Sequence, residues 1–104
     1  MEGNELISFQ IISAAGSARS MYIEAIQAAK EGFIEEAKRQ IEEGQALFIQ
    51  GHHAHAELIQ KEASGSKAEF TLLLMHAEDQ LMSAEAFGIL AEEFINVYEK
   101  IADK

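Results

Sequence analysis

Thr71–Ser83 reads TLLLMHAEDQLMS. The run is apolar on most sides, yet it carries one histidine and one aspartate three residues apart. At ~100° per residue, positions i and i+3 lie within ~60° of each other, so His76 and Asp79 share a helix face. Isolated ionisable groups are rarely buried unless paired, metal-bound or chemically employed. The same run sets the fold. From Lys67 to about Ala102, Phe70, Leu72, Leu73, Leu74, Met75, Leu81, Met82, Phe87, Ile89, Leu90, Phe94, Ile95 and Val97 surround most of one long helix. A helix outside a lone bundle needs a single apolar stripe. This one needs more than two neighbours, so the expectation is that the third helices of several chains pack together on a symmetry axis.

Upstream, the pattern predicts two further helices. The first spans ~4 to 29, with Asn4 as a possible cap, and Leu6, Phe9, Ile12, Ala18, Met21, Tyr22, Ala25 and Ile26 recur at helical spacing. Gly16 interrupts it, where a small residue allows close helix approach. Lys30-Glu31-Gly32 is a turn, with Gly32 in the left-handed position that ends a helix. The second helix runs from Ile34 to Glu62, its apolar contacts being Ala37, Ile41, Ala46, Leu47, Ile49, Ala54, Leu58 and Ile59. Gly44 and Gly51, seven apart, lie close to one face, where another helix can come near or the helix can bend. Ala63-Ser64-Gly65-Ser66 is the second turn, and Ser66 with Glu69 matches a capping box for the third helix. The class is all-α: one domain over 1–104, an up-down-up antiparallel three-helix bundle.

Composition narrows the function. Eighteen acids against eight bases give a formal charge of −10. Such a surface repels phosphate backbones and anionic headgroups, so nucleic acid and membrane surface are poor partners and a basic protein a better one. Cysteine is absent, which excludes a disulfide framework and a thiol nucleophile. No apolar run approaches the ~20 residues of a bilayer span. Glu2 and Glu5, with no early Lys or Arg, argue against a secretory signal. The expected compartment is the cytoplasm.

The candidate chemistry centres on His76, which is either a hydrogen-bonded structural histidine or a nucleophile. Unperturbed imidazoles have a pKa of ~6.5, are mostly neutral at cytoplasmic pH and can attack phosphorus. The chain has no Walker motif or glycine-rich phosphate loop. A phosphoryl group would therefore come from one protein and leave to another. Asp79 either belongs to an exposed strip, orients the His76 ring, or sits on an oligomer axis. Carboxylates converging there would repel unless protonated or bound to a cation, and three oxygens plus water suit Mg²⁺. Glu78 is expected to be solvated and Gln80 to fill a polar position near the axis. Arg19 is either a surface cation paired with an acid or an anion-contacting group. His52 and His55 share a face and could form a two-histidine metal site; with His53, the plainer reading is exposed polar residues. The Phe and Met residues of the third helix are core, with no cofactor assigned.

His76-Ala77-Glu78-Asp79-Gln80-Leu81-Met82 resembles the active-site helix of the lactose/cellobiose-type enzyme IIA of the bacterial sugar phosphotransferase system, which commonly reads H-A-Q-D-H-L-M. Gly16-Ser17-Ala18-Arg19-Ser20 resembles that family's G-x-A-R-S, Ala29-Lys30-Glu31-Gly32-Phe33 its first turn, and His53-Ala54-His55 through Leu58-Ile59-Gln60 its A-H…Q-T-x-L-I run. The resemblance implies a homotrimeric phosphotransferase component working through a phosphohistidine at His76. It implies phosphoryl transfer from the histidine-containing phosphocarrier protein to a cysteine of enzyme IIB, for uptake of a β-linked disaccharide. It implies that Asp79 meets its symmetry mates at the trimer axis, around a divalent cation in the lactose branch, which favours the axis reading. The sequence departs at two positions, Glu78 for Gln and Gln80 for His. Glu78 would disfavour a nearby phosphate unless it faces solvent. The alternative function is a non-catalytic regulatory or scaffolding helical trimer with the same fold.

Overall fold

The helical periodicity is realised as three long helices: α1 (Gly3–Lys30), α2 (Ile34–Ala63) and α3 (Leu72–Ala102). The structure, a computed structural model, describes residues 3–67 and 69–104; Met1, Glu2 and Ala68 lie outside them. The bundle measures 56 × 23 × 19 Å, and helices of about 30 residues at ~1.5 Å per residue account for ~45 Å of its length. No strand occurs among the described residues.

Both turns end a helix in the same way. Gly32 (φ 94°) and Gly65 (φ 102°) take the left-handed conformation. Phe33 N–H then reaches the Ala28 carbonyl at 2.9 Å and Gly32 N–H that of Ala29 at 3.0 Å. Ser66 N–H reaches Lys61 at 3.0 Å and Gly65 N–H reaches Glu62 at 3.1 Å. These paired bonds satisfy carbonyls that the helix end would otherwise leave open.

The start of α3 differs from the sequence expectation. Ser66 and Glu69 form no capping box, because the Ser66 N–H that Glu69 would take already belongs to Lys61. The helix begins at Leu72. Thr71, in an extended conformation, accepts from Leu74 N–H on its Oγ1 at 3.1 Å, as an N-cap does. At the other end of the chain, Asn4 lies inside α1 rather than capping it.

α1 packs against both other helices, and α2 and α3 meet over a narrower seam. The buried stripe of α1 is Ile7, Ile11, Ala14, Ala15, Ala18, Tyr22, Ala25 and Ala29. Leu6 and Phe9 are exposed, because on a ~100° wheel they fall opposite Tyr22. Similarly, Ala46, Ile49 and Ile59 of α2 face outward, while Ala37, Ile41, Ala54 and Leu58 are buried.

All three helices meet around Tyr22, which is 3% exposed. A Cβ at Gly44 would lie 2.6 Å from the ring's Cε1, and one at Gly88 2.8 Å from its Cζ. One aromatic ring of α1 is thus seated between a glycine of α2 and a glycine of α3. Gly51 is also a contact point, its Cβ position lying 3.3 Å from Ala14 Cβ. Gly16, by contrast, has nothing within 4 Å inside the chain, so it mediates no helix approach there. Polar ties run along the α2–α3 seam: Lys38 to Glu99 at 2.9 Å, Gln45 to Glu92 at 2.6 Å and His55 to Glu78 at 2.7 Å.

α3 buries Leu74, Ala77, Leu81, Ala84, Ala91 and Ile95. Its opposite side remains apolar and open, with Leu72 83%, Met82 68% and Ile89 60% exposed.

Candidate functional site

His76 is exposed on α3, ~100° around the helix from the buried stripe's centre near Ala77. The buried residues Ala77 and Leu81 anchor this part of α3 against Ile7, Ile11 and Leu58, so the imidazole rides on a packed segment. Because α3 starts at Leu72, His76 opens the second helical turn instead of lying more than two turns inside. Helical side chains tilt toward the N-terminus. The ring therefore leans toward the positive end of the helix, which favours an anion more than the longer helix would have.

Three polar residues follow it in sequence, Glu78, Asp79 and Gln80, and the fold sorts them onto different sides. Asp79 is exposed in line with Met75, Met82 and Ala86, at the middle of the open apolar stripe. Glu78 is not simply solvated. Its Oε1 lies 2.7 Å from His55 Nε2 of α2, with the side chains 43% and 21% exposed respectively. On the wheel Glu78 is ~160° from His76, so within one chain its carboxylate is held away from anything attached to that ring. Gln80, one turn after His76 and ~40° round, faces α1. There Arg19 Nη1 donates to Gln80 Oε1 at 2.6 Å. Arg19 thus pairs with an amide, not with an acid.

The histidines of α2 have separate roles. The His52 ring stacks on Phe48 at a centroid distance of 6.4 Å and an interplanar angle of 23°. His55 is taken by Glu78. His53 lines an open groove between α1 and α2 with Phe9, Gln10, Ser13 and Glu57. These different partners leave the two-histidine metal reading of His52 and His55 without support. Among the described residues no three His, Cys, Asp or Glu side chains of one chain converge. Asp79 therefore offers one carboxylate per chain, and a cation site there needs more than one copy. Sequence reasoning missed the His55–Glu78 contact. The acid on α3 and the imidazole on α2 are visible as residues, but the register between the helices is not.

The sequence profile of the family described as PTS system, Lactose/Cellobiose specific IIA subunit matches residues 6–99. The lichenan-specific phosphotransferase enzyme IIA component of Bacillus subtilis is 46% identical over 103 residues, covering 99% of this chain and 94% of that protein. The lactose-specific EIIA component of Staphylococcus aureus is 33% identical over 92% of this chain and 93% of that protein. Among solved structures, the cellobiose-specific enzyme IIA of Bacillus anthracis superposes with a TM-score of 0.95 at 42% identity, over 100% of this chain and 96% of that one. The IIA(Chitobiose) of Escherichia coli, solved in complex with HPr, gives a TM-score of 0.84 at 28% identity over 98% and 99%. The chain belongs to the lactose/cellobiose-specific IIA family of the sugar phosphotransferase system. No helix among the described residues is long and apolar enough to cross a membrane.

Proposed function

We propose that this chain is a cytoplasmic phosphocarrier that takes a phosphoryl group onto His76 from the histidine-containing phosphocarrier protein and passes it to a cysteine of enzyme IIB. The observation that carries this reading is the exposed imidazole at the position matching the family's active histidine, supported on a buried Ala77–Leu81 face. The neighbour solved with HPr supports the choice of donor.

In the first transfer, the lone pair of a His76 ring nitrogen forms a bond to phosphorus while the donor's P–N bond breaks. The electron pair of that bond returns to the donor imidazole. The donor leaves neutral if its ring was protonated, and His76 then carries the positive ring. In the second transfer, a thiolate sulfur bonds phosphorus and the His76 P–N electrons return to the ring, restoring neutral imidazole. The transition state is loose, so catalysis is chiefly positioning and charge stabilisation. An open site suits this function, since both partners must reach the same nitrogen.

The assembly belongs to the same reading. The open stripe of Leu72, Met75, Met82 and Ile89 is what third helices would share in a homotrimer, where three Asp79 carboxylates converge. That all-oxygen set fits Mg²⁺, which would neutralise their repulsion. The transported sugar is a β-linked disaccharide, a reading supported by relatives named for lichenan, oligo-β-mannosides, lactose and cellobiose.

The test is incubation with the phosphocarrier protein, its kinase and phosphoenolpyruvate. The expected result is stoichiometric, acid-labile, base-stable phosphate that disappears in His76→Ala. A folded trimer that takes no label would refute the carrier role and leave the scaffolding alternative.

A further inference from the structure

Gln80 and Arg19 form a contact whose chemistry has a direction. A guanidinium only donates hydrogen bonds. Facing Arg19 Nη1 at 2.6 Å, the Gln80 amide can therefore present only its oxygen, and its NH₂ group must point the other way. Gln80 is one turn beyond His76 and ~40° round the helix, and its side chain tilts back toward the N-terminus. Its two N–H donors thus lie on the side of the amide turned away from Arg19, one turn from His76 on nearly the same helix face. Arg19 strengthens them, because a cation on the amide oxygen polarises the N–H bonds.

The choice of partner is informative. Eighteen acids are available in this chain, and Arg39 and Lys38 both hold carboxylates. Arg19 instead places its charge-assisted bond on a neutral amide. Its positive charge is not cancelled by that bond and remains available to an incoming dianion.

We propose that Gln80 donates an amide hydrogen bond to the phosphoryl oxygens of phosphorylated His76, and that Arg19 is a positioning residue that orients and polarises this amide. The proposal rests on the carrier reading of His76 given above. Neither residue gains or loses a proton in the transfer; the bonds that form and break are those already described. The amide serves as a donor to oxygens whose charge is shared among three positions in the transition state.

The experiment uses the full chain and phosphocarrier protein charged by its kinase and phosphoenolpyruvate. Single-turnover transfer to His76 is followed over a range of donor concentrations. After donor removal, the lifetime of the phosphohistidine is measured. The isosteric Gln80→Glu replaces both donors with acceptors, and Gln80→Met removes them without adding charge. Preorganised donors in enclosed sites contribute ~10²–10³-fold; at this exposed one Gln80→Met should lower the maximal rate about tenfold, with the half-saturating donor concentration little changed. Arg19→Met should give a smaller loss of rate, and Arg19→Lys, which can still donate to the amide oxygen, should recover most of it.

Rates and lifetimes within about twofold of the parent in Gln80→Met and Arg19→Met would overturn the proposal. So would a fall in melting temperature with no change in rate, because that is the signature of a plain helix tie. A parent that takes no label, or a His76→Ala variant that still does, refutes the carrier reading itself and is distinguishable from both.

Discussion

Gly44→Ala offers the sharpest test of the packing. A methyl group there would lie 2.6 Å from Tyr22 Cε1 and 2.8 Å from Cδ1. Ordinarily the neighbouring side chain would move aside. Here the far side of the ring faces Gly88, whose Cβ position is 2.8 Å from Cζ and 3.0 Å from the hydroxyl oxygen. The ring is therefore stopped on both sides by helix backbone. Overpacking of a tight core costs ~1–3 kcal/mol, and this site belongs at the upper end. Alanine returns ~1 kcal/mol through its better helix propensity. The net expectation is a loss of about 2 kcal/mol, or a melting temperature lower by roughly 8–16 °C for a chain of this size. Gly16→Ala is the control: it gains the same propensity with nothing within 4 Å to meet, and should stabilise by up to ~1 kcal/mol. Thermal and urea unfolding followed by circular dichroism would measure both, at one fixed chain concentration because association adds to apparent stability. In a Tyr22→Leu background, the same Gly44→Ala change should become nearly neutral. A Gly44→Ala protein as stable as the parent would show that the ring does not fill the space between the glycines.

Three further outcomes are expected. Burial first, and the Glu92 carboxylate second, push the Tyr22 phenol above its ordinary range. The folded state then holds this proton more tightly than the unfolded one. Its contribution is fully present below about pH 10 and is lost as pH rises through the raised value; urea midpoints from about pH 9 to 11 should show this decline in the parent and less of it in Tyr22→Phe. Thr71→Ala should cost ~1 kcal/mol by removing the α3 cap, whereas Ser66→Ala should stay within about 0.5 kcal/mol, as chemical denaturation would report. If the proposed trimer holds a cation between its Asp79 carboxylates, chelation with EDTA should raise the chain concentration below which it dissociates in sedimentation, and Asp79→Asn should make that concentration insensitive to chelator.

Helix number, order and turns were legible in the sequence because their signals are local. Glycine at 32 and 65 ends a helix wherever it stands, and a 28- to 31-residue periodic run can hardly be missed. The phase of α1 was legible in its second half, where Ala18, Tyr22 and Ala25 are buried as expected, but not in its first. Leu6 and Phe9 are larger than the alanines at 14, 15, 18 and 25, but close helix packing selects small residues, so the conspicuous side chains face outward. The start of α3 was ambiguous because Ser66 and Thr71 both precede the apolar run. A backbone bond from Ser66 to Lys61 decides between them, and composition does not encode it. At the site, the shared face of His76 and Asp79 follows from spacing alone. The partners Arg19–Gln80 and His55–Glu78 depend on how the helices are offset along one another. That offset is fixed by Tyr22 between Gly44 and Gly88, and Gly88 carries no mark in the sequence that sets it apart.

The seat of Tyr22 also sets a gauge. Arg19 is one turn before Tyr22 on α1, and Gln80 lies two turns before Gly88 on α3. The gap the guanidinium must bridge is therefore the gap this ring holds open. A substitution that spread the two helices by an ångström would pull Arg19 off its amide without altering any residue beside the histidine. Defects in phosphate exchange should thus map to the tyrosine and its two glycines as well as to the histidine's own turn, and they would look like faults in chemistry although they arise from spacing.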